Sequence, residues 1–298
     1  MSASPSERRE AWLFVSPAIA TIAAVAIIPM AWTVWESLHL HDLRMPWLGR
    51  PFVGADNYLE AFGDERFRDA MARTFAFAAA SVSLELVIGL IFALAMSHAL
   101  RARALIRVLV LMAWAVPTVV AALVWRFMFE GPSGVAGSLL AALGVVDAGF
   151  SWFVHPVAAW VPILLADAWK MTPFVALLLL AGLESIDPSL YDAARMDGAG
   201  AWRQFREITL PLLRPALLVA VLFRALDAFR VFDVIYVMTG GGPGTSTEPI
   251  SLYTFTTLLQ HLRFGYGSAL SVLVFLTTFV LALLYIRLVG RNLLEAKP

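Results

Sequence analysis

Six stretches of the chain are apolar for roughly the 20 residues that a helix needs to cross a hydrocarbon layer about 30 Å thick, and polar positions collect between them. They run approximately Trp12–Trp35, Ala72–Ser97, Val108–Phe129, Ala158–Gly182, Leu212–Met238 and Ala269–Val289. Arg8 and Arg9 precede the first stretch, as basic residues precede a secretory signal. It is too long for a signal core, and a cleavage site would fall within apolar sequence, so it is read as a retained helix. The pattern predicts an all-α, six-span membrane protein built as one domain over residues 1–298. Between the first two spans, Glu36–Met71 is polar, and its later half places Leu59, Phe62, Phe67 and Ala70 among charges, which predicts a short interfacial helix. Residues 131–156 read as an irregular, glycine-containing loop, and Thr239–Gly244 (TGGGPG) as a turn.

Composition strengthens the membrane reading. Of 298 residues, 60% are hydrophobic and 15% charged, against roughly 45–50% and about 25% in soluble domains; the mean hydropathy is +0.77. The 22 basic and 22 acidic residues cancel, so charge gives no reason to expect a nucleic-acid partner. The absence of cysteine excludes disulfides, thiol nucleophiles and cysteine metal sites. With the N-terminus inside, the inner pieces hold Arg8, Arg9, Arg101, Arg103, Arg107, Arg195, Arg203, Arg206, Arg214, Arg287, Arg291 and Lys297, twelve in all. The outer pieces hold Arg44, Arg50, Arg66, Arg68, Arg73 and Arg263, six in all, a bias that predicts both termini in the cytoplasm.

The loop Leu183–Pro211, LESIDPSLYDAARMDGAGAWRQFREITLP, is the most informative stretch. Asp187 followed by Pro188 is the signature of an N-cap with proline at the first helical position. Ser189–Met196 favours helix, and Gly198 suits the left-handed residue just past a helix end. A short helix is therefore expected on the cytoplasmic face, presenting Leu190, Tyr191 and Ala194 outward. A second amphipathic turn around Trp202, Phe205 and Ile208 should follow, with Pro211 restarting a helix into the membrane.

This loop resembles the EAA loop in the permease subunits of binding-protein-dependent ABC importers. The matching residues are Tyr191-Asp192-Ala193-Ala194, Asp197-Gly198-Ala199, Phe205 and Ile208-Thr209-Leu210-Pro211. Asp192 stands where the family usually has Glu, which keeps the charge on a shorter reach. The fifth span, the TGGGPG turn and the six-span layout resemble the sugar-importing branch, the maltose, trehalose and glycerol-phosphate type. Trp169-Lys170-x-Thr172-Pro173-Phe174 and Phe223-Arg224-x-Leu226-Asp227-Ala228-Phe229-Arg230 resemble, within it, the first permease of actinobacterial trehalose importers. The resemblance implies an inner-membrane subunit that forms the pathway with a second permease. It further implies that an extracytoplasmic solute-binding protein delivers a sugar and that a cytoplasmic ATPase dimer docks on the loop as a coupling helix. ATP and Mg would be bound by that ATPase. The residues agree: a P-loop needs Gly-Lys before Ser or Thr, and the two lysines follow Trp169 and Ala296, so no cofactor or catalytic residue is assigned to this chain.

Ionisable groups at membrane depth cost at least about 2.5–3.5 kcal/mol each, so they are usually paired or line a cavity. The fourth span carries Asp167 and Lys170, the fifth Arg224, Asp227, Arg230 and Asp233, and Glu85 and Arg126 lie in the second and third. Helical rise puts Lys170 and Arg224 near the midplane, and the antiparallel run of their helices predicts the pairs Asp167–Arg224 and Lys170–Asp227. These groups either hold the bundle together or, with Trp169, Phe229 and Phe232, form the wall of a sugar pathway. Arg126 and Asp233, near the outer ends, read as snorkelling or gating groups. The five histidines show no ligand spacing beyond His39/His41, so no metal site is assigned. The rivals are a stand-alone secondary transporter or channel, which has no use for a coupling loop, a purely structural membrane protein and an intramembrane hydrolase.

Overall fold

The computed structural model describes residues 5–98, 103–131, 134–147 and 149–295, and these are helical with only isolated bridges of extended chain. Arg8, Arg9, Arg101, Arg103, Arg291 and Lys297, counted above toward orientation, have side chains outside the described residues. Among the described residues, five helices are long and apolar enough to cross a membrane, over Trp12–Ser37, Glu65–Ser97, Trp160–Glu184, Ala201–Ala228 and Phe264–Arg287. A sixth span exists only if the bent pair Leu105–Ala115 and Thr118–Phe129 is counted as one. The chain divides into two compact units: the N-terminal residues through Phe67 with Tyr253–Thr277, and Arg68–Leu252 with the residues from Thr278 onward.

The second unit carries the candidate site. Its helices are α4 (Glu65–His98), α5 (Arg103–Ala115), α6 (Thr118–Phe129), α7 (Val135–Ala142), α8 (Trp160–Glu184), α9 (Pro188–Met196), α10 (Ala201–Gln204), α11 (Leu210–Ala228) and α12 (Asp233–Met238). The core where α4, α8 and α11 meet is Ala93, Met96, Val175, Ala176, Leu179, Leu180, Leu213 and Ala220. Small residues make that approach close. A Cβ on Gly89 would stand 2.7 Å from Val175 Cγ1, and one on Gly182 would stand 2.6 Å from the Ala216 Cβ. Without a water-driven collapse between apolar helices, such backbone approach is what holds a bundle in lipid.

Three expectations need correction here. The third span is two helices meeting at 91°, not one helix over 108–129. Pro117 explains the break: it has no N–H, its ring crowds the carbonyl four residues back, and it biases Val116 away from helix. The fifth span does not run to Met238. Its helix ends at Ala228, the chain passes through 229–232, and α12 begins at Asp233. Conversely, Pro211 does not restart a helix, because α10, a π-turn at Phe205–Thr209 and α11 are continuous from Ala201 to Ala228. In the wider turn the Leu210 N–H reaches back to the Phe205 carbonyl, which absorbs the donor and the space that proline lacks. The loop at 131–156 also holds α7 and a 3₁₀ turn at Trp152–Val154.

In the first unit, α1 (Pro5–Ile22) passes through a π-turn at Ala23–Ile27 into α2 (Ile28–Ser37). The short helix expected before the second span is α3 (Asp56–Gly63), with Leu59 and Phe62 exposed and Ala61 buried, whereas Phe67 and Ala70 fall on α4 and are buried. Asn57 donates to the carbonyls of Ser37 (2.8 Å) and His39 (3.1 Å). Arg263 bonds Glu60 at 2.7 Å, and Arg44 forks onto Asp42 at 2.9 and 2.6 Å. The hub is Asp64, which accepts the hydroxyls of Tyr253 and Tyr266 and the Arg66 N–H. Burial pushes the Asp64 carboxyl up, but these hydrogen bonds outweigh it and hold it below the ordinary value. The Arg44 hydrogen bond likewise holds Asp42 low.

Groups depressed in this way stabilise the fold above the ordinary carboxylate range and lose that contribution as pH falls through it, near about 4. The thermal midpoint of the purified protein is therefore expected to drop between pH 5 and 3. Asp64→Asn should lower it at neutral pH and flatten the acid slope; equal slopes for the two proteins would contradict the hub.

Candidate functional site

Among the charges at membrane depth, Glu85, Asp167 and Asp227 form one connected cluster centred on Arg224, which is 2% exposed. Its Nε and Nη2 fork onto Glu85, the latter at 2.6 Å from Oε1; Nη2 also reaches Asp167 Oδ2 at 3.2 Å, and Nη1 reaches Asp227 Oδ2 at 2.5 Å. Ser81 Oγ sits between the carboxylates, 2.7 Å from Glu85 Oε1 and 2.5 Å from Asp167 Oδ2. Three helices thus contribute: α4 gives Ser81 and Glu85, α8 gives Asp167, and α11 gives Arg224 and Asp227. A two-pronged guanidinium–carboxylate contact is the strong form of such a pair, and here it also fixes the relative rotation of α4 and α11.

The predicted Asp167–Arg224 contact is present, whereas Lys170–Asp227 is not. Asp227 is engaged by Arg224, and Lys170 Nζ donates to the carbonyls of Trp114 (3.1 Å) and Val116 (2.5 Å) at the end of α5. The break at Pro117 is the cause, because it frees carbonyls within reach to which no later N–H donates. Arg126 does the same for the other interrupted span, donating to the Val237 carbonyl at 3.1 Å near the end of α12. It is exposed and lies where the chain ends a helix, so its guanidinium answers a helix-end carbonyl.

The candidate wall divides into two faces. Along α11, Leu213, Ala220, Arg224 and Ala228 are buried, while Val219, Phe223, Asp227 and, just beyond the helix, Arg230 are exposed. Trp169 is half-exposed beside Trp125, and Phe232 is partly exposed and stacks on Tyr236 at 5.3 Å. Phe229 departs from expectation: it is buried and meets Phe75 edge-on at 5.1 Å. The helix stops one residue before it, so a face extrapolated along the fifth span does not apply there. Carboxylate and guanidinium groups exposed at this depth cannot face hydrocarbon cheaply, so this stripe requires water, a polar ligand or another subunit against it.

On the loop after α8, helix α9 spans Pro188–Met196 as expected. Asp187 Oδ1 accepts the Ser189 N–H at 2.9 Å, and that bond lowers the Asp187 carboxyl. Past the other end, Gly198 has φ +76°, its N–H bonds the Arg195 carbonyl, and the Ala199 N–H bonds that of Ala194. This is the paired 5→2 and 6→1 closure that a left-handed glycine allows. The outward stripe differs from the predicted one. Tyr191 and Ala194 are half-buried, whereas Leu190 is exposed as expected, in line with Ala193 and Met196 and beside the equally exposed Ser189, Asp192 and Arg195. Tyr191 turns inward because its hydroxyl meets Thr209 Oγ1 at 2.9 Å in the π-turn, while Gln204 Nε2 holds the Ala199 carbonyl at 2.7 Å. Asp192 pairs with Arg195 at 3.0 Å on the surface, and Asp197 caps the helix C-terminus. Phe205 and Pro211 lie along the continuous helix leading to Arg224.

Two participants were absent from the sequence-level candidates. Glu85 was recognised as an intramembrane charge but given no partner, and Ser81 carried no signal. The Pro117 interruption was the clue to the Lys170 contacts.

Residues 85–293 match the family described as Binding-protein-dependent transport system inner membrane component. The chain is 41% identical to the trehalose/maltose transport system permease protein MalF of Thermococcus litoralis, covering 96% of this chain and 95% of that protein. It is 38% identical to the trehalose transport system permease protein SugA of Mycobacterium tuberculosis, covering 96% and 90%. A solved bacterial ABC transporter involved in the import of the acidic polysaccharide alginate contains a chain of the same fold, at TM-score 0.82 and 22% identity over 95% of this chain and 96% of that one.

Proposed function

Because the chain belongs to the inner-membrane components of binding-protein-dependent transport systems, we propose that it is the membrane subunit of an ATP-driven sugar importer, a single permease domain paired with a second permease. A disaccharide such as trehalose or maltose is the favoured substrate, on the names of the two relatives at 41% and 38% identity. Both termini lie in the cytoplasm, where an ATPase dimer holding ATP and Mg grips α9. An external solute-binding protein releases sugar from the opposite face.

The observation that carries this reading is the mechanical continuity from α9 to the charged cluster. An exposed helix, capped at both ends, is tied through Tyr191–Thr209 to the unbroken helix that carries Arg224 and Asp227. A push on α9 therefore reaches membrane depth through one rigid element about 28 residues long, roughly 40 Å at helical rise. The exposed stripe of Asp227 and Arg230 with Trp169 and Phe232 then borders the sugar's path. Aromatic faces cover apolar sugar faces, and charged groups bond hydroxyls. An ATPase supplies the driving force, so no stable high-affinity site is required of this chain.

The test is uptake of labelled trehalose and maltose into proteoliposomes holding this chain with its second permease, ATPase and binding protein. Uptake is expected only with ATP on the ATPase side and is lost on omitting either the ATPase or the binding protein. Accumulation by the chain alone under an ion gradient would overturn the reading in favour of a secondary transporter.

A further inference from the structure

Lys170 is 8% exposed at membrane depth, yet none of its hydrogen bonds goes to a carboxylate of the cluster. Its ammonium is bound by two backbone carbonyls of a different span, those of Trp114 and Val116, at the point where the chain turns through 91°. We propose that Lys170 is a positioning residue, a pin that fastens the break in the third span to α8 and so makes the end of α5 move with the helix that carries Asp167.

The surrounding geometry supports it. A continuous helix would pair the Trp114 and Val116 carbonyls with the amides of Thr118 and Val120, and the sharp turn at Pro117 removes that arrangement. A cation at a helix C-terminus answers both the unsatisfied carbonyls and the negative end of the helix dipole. Lys170 also lies one turn from Asp167, which Ser81 and Arg224 hold. The pin therefore connects the interrupted span to the same cluster that terminates the path from α9. At the inner ends of the same two helices, Arg107 on α5 meets Glu184 on α8 at 2.5 Å, so α5 is fastened to α8 at both ends. The inner half of the third span is thereby predicted to travel with α8, while α6, beyond the break, runs at 91° to it.

The geometry of the pin does not depend on what is transported; only its consequence for uptake rests on the proposed function. The experiment exploits the absence of native cysteine. Cysteines introduced at Leu109 on α5 and Val124 on α6, both exposed, are spin-labelled in the assembled complex in nanodiscs, and the distance distribution is measured. With Lys170 intact a single narrow distribution is expected. Lys170→Met and the milder Lys170→Gln should broaden or lengthen it, and Lys170→Arg, which restores a cationic donor, should recover it. Pro117→Ala, which returns an amide to the break, should lengthen it with Lys170 present. In parallel, Lys170→Met is expected to lower uptake at least tenfold while basal ATP hydrolysis and complex assembly persist, and Lys170→Arg to restore a substantial part of it. Unchanged distances in both Lys170→Met and Lys170→Gln would overturn the pin. Changed distances with normal uptake would overturn its role in transport. A wild-type complex that imports no sugar would count against the transport reading alone, since the distances are read without it.

Discussion

Replacing Arg224 by Met is expected to be the most damaging single change in the chain. It removes the only cation bonded to Glu85 among the described residues and strands that carboxylate, fully buried, beside Asp167. Breaking a buried pair from one side costs about 3–5 kcal/mol, because the remaining charge has neither water nor partner. The variant should insert but purify poorly, with a lowered thermal midpoint and no uptake. The triple variant Arg224→Met, Glu85→Gln, Asp167→Asn removes the stranded charges and should recover much of the yield and stability, without recovering uptake if the cluster also serves the pathway. If Arg224→Met folds and transports as the native protein does, the cluster is neither structural nor functional.

The second large effect is expected at Gly198, for a reason that does not involve packing. A Cβ there would meet nothing within 4 Å, so the whole penalty is the left-handed backbone at φ +76°. That costs an ordinary L-residue roughly 1–2 kcal/mol, and a β-branched one is the least tolerant. Gly198→Val should therefore open the closure formed by the Gly198 and Ala199 amides and misalign α9, with the spans intact. Gly198→Ala should show a milder form of the same defect. Sugar uptake and substrate-stimulated ATP hydrolysis should fall together by an order of magnitude or more, while basal hydrolysis survives. Asp192→Lys, which reverses the charge paired with Arg195, should weaken ATPase co-purification by the same route. Normal uptake in both Gly198→Val and Asp192→Lys would remove α9 from the coupling path.

The parts of this architecture legible in the sequence were those set by local chemistry. The long apolar runs identified five spans directly, and Asp187-Pro188 and Gly198 placed both ends of α9 because capping is decided within a few residues. The Asp167–Arg224 contact followed from helical rise and antiparallel direction. What escaped depended on breaks in that regularity. Pro117 turned one span into two and captured Lys170. The early stop at Ala228 buried Phe229, and the π-turn carried a continuous helix through Pro211. Each of these is a case in which extrapolating a 3.6-residue period past an interruption assigns a side chain to the wrong face. Tyr191 was misdirected for a different reason: its hydroxyl found Thr209, a partner eighteen positions away that no local pattern announces.

The central claim, that α9 is where an ATPase grips this permease, is tested most directly by a cross-link. A single cysteine replacing Ala193, in the middle of the exposed Leu190–Ala193–Met196 stripe, should form a bifunctional cross-link to the ATPase subunit in the assembled complex. Its yield should change between nucleotide-free and ATP-bound states, and the cross-linked complex should no longer take up sugar. A cysteine at this position that stays freely labelled by a membrane-impermeant reagent from the cytoplasmic side, in a complex that hydrolyses ATP and imports sugar, would contradict the account.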